Sequence, residues 1–184
     1  MSARPKAGKP NPKRSARKRL AGIAAAGALA LAAAAGGATV ASTVPAHCAA
    51  HSGNPDHTCT PGVLNPSVTQ SNIQRTICVP GYTAKIRPHV SYTNPLKAEL
   101  VRSYGLTGPL SAYELDHMVS LELGGNPTNP ANLWPEAYLP VPGAHEKDRV
   151  ENYLHRQVCD GQMTLAAAQK QIASDWESVW VQIK

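Results

Sequence analysis

The sequence predicts a small α+β domain in which a strand, a turn, a second strand and a helix form the core, with further helices flanking it. Three observations predict this fold. Apolar residues alternate between Tyr113 and Leu123, as they do in a half-buried strand. Two later segments, 144–159 and 164–183, repeat apolar residues every three or four positions, as amphipathic helices do. The four cysteines all follow residue 46, and an even number is typical of a disulfide-stapled domain.

The first 46 residues are predicted to be a secretory signal peptide that precedes the fold. Eight Lys and Arg lie between Arg4 and Arg19, an apolar run covers 20–35, and small residues follow. The small residues around Ala41 and Ala46 make both positions candidates for cleavage. The apolar run is short and rich in Ala for a membrane-spanning helix. We therefore expect a secreted protein with no stable membrane association after cleavage.

Most of the positive charge of the chain belongs to this leader. The whole chain carries +6, whereas residues 47–184 hold ten Lys and Arg against twelve Asp and Glu, a net charge of −2. The overall charge is therefore no indication that the folded part binds nucleic acid, and such binding must be argued from a site. Roughly 138 residues suit one domain with one core, and we expect a monomer.

Four cysteines permit three disulfide pairings. The lack of a CxxC motif argues against a zinc ribbon or a thioredoxin-like site. We favour Cys48–Cys59, which closes a loop in the Pro- and Gly-rich segment 47–72 that we predict to be irregular. We also favour Cys78–Cys159, which ties the beginning of the main domain, 73–184, to a late helix.

The first elements of the main domain are predicted before residue 106. Residues 76–88, "TICVPGYTAKIRP", look like two short strands around a Pro-Gly turn. Asn94 is expected to cap a helix with Pro95 at its first position, and Gly105 ends that helix. The residues expected on its inner face are Leu96, Leu100, Val101 and Tyr104.

The core elements follow. Residues 113–123 are predicted to form the first strand, and "NLWPEAY" (132–138) the second. The helix 144–159 follows and ends before Gly161. Thr164 is expected to cap the last helix. The apolar stripes of the two helices are Val150, Leu154 and Val158, and Leu165, Ala168, Ile172, Trp176, Val179, Trp180 and Ile183.

Polar residues interrupt the apolar alternation of the first strand. Asp116 and His117 lie in its middle, and Gly124-Gly125 follows its end. Buried polar groups are costly unless they are paired, so stability alone does not explain them. Neighbours on a regular strand point to opposite faces. For both side chains to serve one site, we expect the strand to be twisted or bulged here.

The pattern "ELDHMVSLELGG…NLWPEAY…KDRVENYLHRQVC" resembles the HNH, or ββα-metal, endonuclease superfamily. It is more closely similar to a group of small secreted bacterial HNH-type proteins with "DH…LELGG…NLWP…KD". The resemblance covers roughly residues 112–160. It implies a ββα-metal core and a metal-dependent endonuclease that hydrolyses phosphodiester bonds. The expected substrate is DNA, with RNA as an alternative, and little sequence specificity is expected.

The resemblance also implies roles for residues of the motif. His117 would be the general base that takes a proton from the attacking water, since an imidazole titrates near neutral pH. Asp116 would bind a divalent cation that neutralises the scissile phosphate. Asn132 would either complete the metal site through its amide oxygen or brace the turn beneath His117.

The third metal ligand is expected at the start of the following helix. His145 is the nearest candidate, with Asp148 or Glu146 as alternatives, because the usual "H/N-x-x-K" with flanking cysteines is absent. Oxygen ligands favour Mg²⁺ or Mn²⁺, whereas a His145 ligand shifts the preference toward Zn²⁺. The phosphate contacts expected at the site are Lys147 and Arg149. Further cations available to phosphate are Lys85, Arg87, Lys97, Arg102 and Arg156.

Two other functions are consistent with the same residues. One is a disulfide-stapled extracellular binding domain that keeps the ββα frame without catalysis. The other is a metal-dependent hydrolase of another substrate, since Asp, His and Asn around a cation do not specify the bond that is cleaved.

Overall fold

The two core strands form an antiparallel pair in the computed structural model, which describes residue 44 and residues 47–51 and 53–184. Strand β1 (Tyr113–His117) pairs with strand β2 (Leu133–Ala137) one residue to one, with His117 opposite Leu133. The expected bulge is therefore absent from β1. Regular alternation sends the side chains of Asp116 and His117 to opposite faces of the strand.

Four α-helices accompany this sheet in the described part of the chain. They are α1 (Tyr82–Ile86), α2 (Val90–Ser103), α3 (Ala144–Cys159) and α4 (Leu165–Ile183). Short 3₁₀ segments occupy Gln70–Arg75, Leu110–Ala112, Leu121–Leu123 and Pro130–Asn132. The mixed α+β class is confirmed, and the order β1, β2, α3 is the predicted strand, strand, helix.

Helices α3 and α4 build the larger core. The predicted apolar stripe of α3, Val150, Leu154 and Val158, is completely buried. It packs with the buried stripe of α4, which includes Ile172 and Trp176. The Thr164 hydroxyl accepts a hydrogen bond from the backbone N–H of Ala167, so the predicted cap of α4 is confirmed.

A second core lies where α2 packs against β2. Leu96 and Leu100 of α2 and Tyr104, which follows the helix directly, are buried there with Leu133 and Trp134 of β2. The predicted inner face of α2 is confirmed. The sheet therefore contacts α2 through β2 and α3 through β1.

The predicted strands in residues 76–88 are absent. Turns lead through Pro80 to Gly81, which has φ 80°, and α1 follows directly. The segment has no strand to pair with. Two tertiary contacts fix its conformation instead, because Ile77 is buried in the larger core and Cys78 forms a disulfide.

The predicted start of α2 is also wrong. The helix begins at Val90, and the ring of His89 accepts the capping hydrogen bond from the N–H of Ser91. Pro95 lies inside the helix. A proline at this position has no N–H to donate to the carbonyl four residues earlier. The packing of the later, buried turns of α2 compensates for this missing hydrogen bond.

The first strand is shorter than the alternation predicts. β1 ends at His117, and the apolar residues after it bury themselves in a loop whose 3₁₀ turn contains Leu121 and Leu123. The alternation of apolar residues extends beyond the strand because the loop also faces the core.

Both favoured disulfides are present, Cys48–Cys59 and Cys78–Cys159. Cys48–Cys59 holds the N-terminal segment, in which residues 53–69 contain no helix or strand. Two disulfides suggest an oxidising, extracellular compartment. Among the described residues no helix is long and apolar enough to cross a membrane. The predicted signal peptide lies, apart from Val44, outside the described residues.

A candidate active site at the end of the first strand

The loop that leaves β1 is fixed by one buried amide. Asn132 has no exposed surface, and its Oδ1 accepts a hydrogen bond from the N–H of Val119 at 2.9 Å. Its Nδ2 donates to the carbonyls of Val119 and Asn126, each at 3.0 Å. Both ends of the amide are thus used by the backbone. Of the two roles considered for Asn132, the brace is the one that these contacts describe.

Steric constraints explain why the motif has glycine at positions 124 and 125. A Cβ on Gly125 would lie 1.7 Å from the carbonyl oxygen of Val119, so only glycine permits this close approach. Gly124 has φ 77°, in the left-handed region that glycine adopts without strain. The Gly-Gly turn and Asn132 together determine how the chain turns away from His117.

The His117 side chain is almost completely buried, with 5% of its surface exposed. Its Nε2 lies 3.1 Å from the carbonyl oxygen of Pro127 and donates to it, since a carbonyl only accepts. The second ring nitrogen, Nδ1, is therefore the basic one in the neutral imidazole. Burial lowers the pKa of His117, with Asp116 acting in the opposite direction, so the neutral form is favoured.

The imidazole borders an open cavity of about 320 Å³. Residues of helix α2 and the segment before it also line this cavity, and Arg87 and Lys97 are the cations among them. Tyr138 and Glu114 border the same cavity. A cavity lined by an imidazole-bearing residue and two cations can accommodate an anionic group.

Asp116 makes its contacts on the other side of β1. Its Oδ2 accepts a hydrogen bond from Nζ of Lys147 at 2.6 Å. The same ammonium donates to the carbonyl of His117 at 2.9 Å and to Oε1 of Glu151. Lys147 is completely buried, so the predicted contact between this lysine and a substrate phosphate is wrong.

The cluster around this lysine contains three acids, the buried Glu136 and Glu151 and the partly buried Asp116. Burial disfavours the ammonium of Lys147, but Asp116, Glu151 and Glu136 together raise its pKa well above the usual value. Burial would raise the pKa of Asp116, and Lys147 reverses this, so the pKa is lowered. Burial raises the pKa of Glu151 to about 8 and that of Glu136 well above its usual value. Asp116 and Glu151 both lie within ion-pair distance of the Lys147 ammonium, and the raised pKa values of Glu151 and Glu136 favour the protonated forms of these two carboxyls.

Two of the predicted ligands at the start of α3, His145 and Glu146, make contacts away from Asp116. The ring of His145 stacks on Tyr138 with 4.8 Å between ring centroids. Glu146 accepts a hydrogen bond from the N–H of Gly143 at 3.0 Å and so caps the helix. Asp148 is partly buried, and burial followed by the charge of Asp116 raises its pKa.

These contacts test whether the predicted metal ligands fit a cation. The Asp116 carboxylate already binds an ammonium, the amide of Asn132 is used at both ends, and His145 stacks on an aromatic ring. Within the described chain, one group of three ligand-type residues lies close enough to hold a metal ion: Cys78, His155 and Cys159. Its two sulfurs form a disulfide. The set Asp116, Asn132 and His145 does not fit a metal ion.

The second predicted phosphate contact, Arg149, also lies elsewhere. Its guanidinium carbon lies 4.6 Å from the centre of the Trp180 ring, and it borders a different cavity, with Arg156 and Asn152. The acids Glu136 and Glu151 were missed by sequence reasoning. The i,i+4 spacing of Lys147 and Glu151 was a usable signal, but such pairs usually lie on the surface.

Comparisons with protein-family models, with curated proteins and with solved structures give no match for this chain.

Proposed function

We propose that this chain is a secreted HNH-type nuclease that hydrolyses phosphodiester bonds in DNA, with RNA as the alternative substrate. The observation that carries the proposal is the neutral, nearly buried imidazole of His117, which borders an open cavity together with Arg87 and Lys97. The resemblance of residues 112–160 to HNH nucleases and the strand, strand, helix order support it. Two disulfides are consistent with export.

In the proposed reaction His117 takes a proton from water through Nδ1. The water oxygen attacks phosphorus and forms a bond to it, the bond to the leaving ester oxygen breaks, and the leaving oxygen takes up a proton from solvent. The carbonyl of Pro127 keeps the other ring proton on Nε2, so the free nitrogen stays the basic one. The lowered pKa of His117 keeps the base unprotonated at neutral pH.

Arg87 and Lys97 are the cations proposed to bind the phosphate, in place of Lys147 and Arg149. Both border the cavity of His117, and neither is buried. A net charge of −2 over residues 47–184 gives the domain no general attraction for nucleic acid. Binding that depends on two local cations is expected to be weak and sensitive to salt.

The metal implied by the resemblance has no ligand set in the contacts described above. A divalent cation, Mg²⁺ or Mn²⁺ first and Zn²⁺ second, therefore stays a separate hypothesis. We assign no reaction step to it. The engaged carboxylate of Asp116 is also the observation that favours the alternative function, an extracellular binding domain without catalysis.

Nicking of supercoiled plasmid by the mature, oxidised protein tests the proposal, with and without a chelator and each added cation. We expect cleavage by the wild type. We also expect a KM about tenfold higher in Arg87→Ala and Lys97→Ala, because each removes one phosphate contact. Lys170→Ala is the matched control, since Lys170 is exposed on α4.

The outcomes separate the alternatives. If the plasmid is bound but not cut under all cation conditions, the result supports the binding domain. If the plasmid is neither bound nor cut, both nucleic-acid functions are excluded. Cleavage that the chelator abolishes supports the metal hypothesis. Cleavage with an unchanged KM in both Arg87→Ala and Lys97→Ala would exclude Arg87 and Lys97 as the phosphate contacts.

A further inference from the structure

The ammonium of Lys147 is saturated with hydrogen bonds. It has three protons, and its three acceptors are Asp116 Oδ2, the carbonyl of His117 and Glu151 Oε1. None of its surface is exposed. Of these acceptors, the carbonyl belongs to the residue proposed as the base. Lys147 therefore joins helix α3 directly to the backbone of His117.

Three groups hold the end of β1 from different directions. Lys147 binds the carbonyl of His117, the carbonyl of Asn132 accepts from the N–H of Met118 at 2.8 Å, and the carbonyl of Pro127 accepts from the His117 ring. The contact from Lys147 is the one made by a helix of the larger core. It holds the carbonyl of His117, a residue that lines the cavity.

The charges of the cluster explain how a buried lysine is tolerated. The ammonium is balanced by the Asp116 carboxylate at 2.6 Å. Burial raises the pKa of Glu136, and Asp116 and Glu151 raise it further against the effect of Lys147, so Glu136 is held protonated. Neither oxygen of Glu136 has a hydrogen bond of standard geometry. Without Lys147, the Asp116 carboxylate would lie in this cluster without a counter-ion.

We propose that Lys147 is a positioning residue that aims the imidazole of His117, and that Asp116 is the counter-ion of this lysine and not a metal ligand. The first half rests on the proposed nuclease function. The second half does not depend on that function. A metal ion at Asp116 Oδ2 would have to displace the Lys147 ammonium, which has no exposed surface.

The test compares Lys147→Met with the double variant Asp116→Asn/Lys147→Met. The single variant leaves a buried carboxylate without a partner and is expected to fold poorly. The double variant removes both charges and keeps the approximate side-chain volumes, so it stays folded if the cluster is compensated as described. Lys170→Met is the control on α4, away from the cluster.

Two measurements judge the positioning role in the double variant. The first is the ¹⁵N NMR signature of the His117 ring, which reports its tautomer; we expect the single Nε2–H form in the wild type and a mixture in the variant. The second is plasmid cleavage, in which we expect kcat to fall by about 10- to 100-fold with KM unchanged, because a small misplacement of a base slows the chemical step. A folded double variant with the wild-type tautomer and kcat would overturn the proposal.

Mn²⁺ binding, measured by electron paramagnetic resonance, judges the counter-ion role. Equal affinity in the wild type and Asp116→Asn, or no binding in either, supports it. An affinity at least tenfold tighter in the wild type refutes it. If the wild type cleaves no nucleic acid, the nuclease proposal fails, while the ring tautomer and Mn²⁺ binding still decide the role of Lys147.

Discussion

The side chain of Asn132 and the backbone of Val119 are joined by hydrogen bonds in both directions. Oδ1 of Asn132 accepts from the N–H of Val119 at 2.9 Å, and Nδ2 donates to the carbonyl of Val119 at 3.0 Å. The residues are 13 positions apart, so this pair closes the whole connection between the two strands. These hydrogen bonds hold the two ends of the loop together, and they fix the chain directly after His117.

Asn132→Ala is therefore expected to destabilise the domain by about 3 kcal/mol. The substitution leaves the two buried backbone groups of Val119 and the partly buried carbonyl of Asn126 unpaired, and each unpaired buried group costs about 1 to 3 kcal/mol before relaxation. Urea unfolding followed by circular dichroism measures the loss. Asn152→Ala is the control, because its Nδ2 contacts one exposed carbonyl of α3. A loss below about 1 kcal/mol in Asn132→Ala would show that the brace is weak.

Much of the fold was accessible from local patterns. The stripe of α3 and the Thr164 cap of α4 predicted two helices, because helix period and capping act within a few residues. Local patterns did not predict the structure of residues 76–88 correctly. Their β-type composition has no effect without a partner strand, and the position of Ile77 and Cys78 is set by distant contacts.

The site was predictable in its residues but not in their contacts. Asp116 and His117 were found by their place in an apolar strand. The brace and the ligand both require an amide at Asn132, so sequence alone could not separate them. Lys147 looked like a surface cation near the motif, and only the packing of α3 on β1 places it against Asp116. Burial of a charge depends on tertiary packing, which one sequence does not reveal.

His117→Ala is expected to reduce plasmid cleavage at least about 100-fold, because it removes the proposed general base. The side chain makes one hydrogen bond, to the Pro127 carbonyl, so the fold should survive with a loss of about 1 to 2 kcal/mol. Steady-state cleavage and thermal unfolding are measured on the same preparation. His89→Ala provides the comparison, since it removes an exposed histidine that caps α2.

These two measurements distinguish a chemical role of His117 from a structural one. Undiminished cleavage by His117→Ala would remove His117 from the chemistry. A collapsed fold in that variant, with His89→Ala still folded, would assign His117 a purely structural role.

Glu151 is expected to make the domain less stable as the pH rises from about 7 to about 9. Burial raises its pKa to about 8 in the folded chain, against the usual 4.5. A raised carboxyl pKa stabilises the fold below the unfolded value, and this contribution is lost as the pH rises through the folded value. For one group the loss is on the order of 1 kcal/mol over this interval, or a few degrees in Tm.

Thermal unfolding at pH 7, 8 and 9 tests this. Glu151→Gln should flatten the dependence, whereas Glu99→Gln, on the exposed side of α2, should leave it as in the wild type. His117 does not interfere, because its lowered pKa places its titration below this interval. An equal slope in Glu151→Gln and the wild type would contradict the assignment.

The Cys78–Cys159 disulfide is expected to contribute more stability than Cys48–Cys59. The sequence separations are 81 and 11 residues, and the chain-entropy model gives about 4.5 and about 3 kcal/mol for such loops. The long bridge also anchors the last residue of α3, the helix that carries Lys147.

Cys78→Ser/Cys159→Ser should therefore lower Tm more than Cys48→Ser/Cys59→Ser, and it should also reduce plasmid cleavage well below the melting temperature. Calorimetry and cleavage at 25 °C are compared for the two double variants. A smaller Tm loss from the long bridge, or full cleavage without it, would show that α3 is held in place by its packing on α4 and β1 alone.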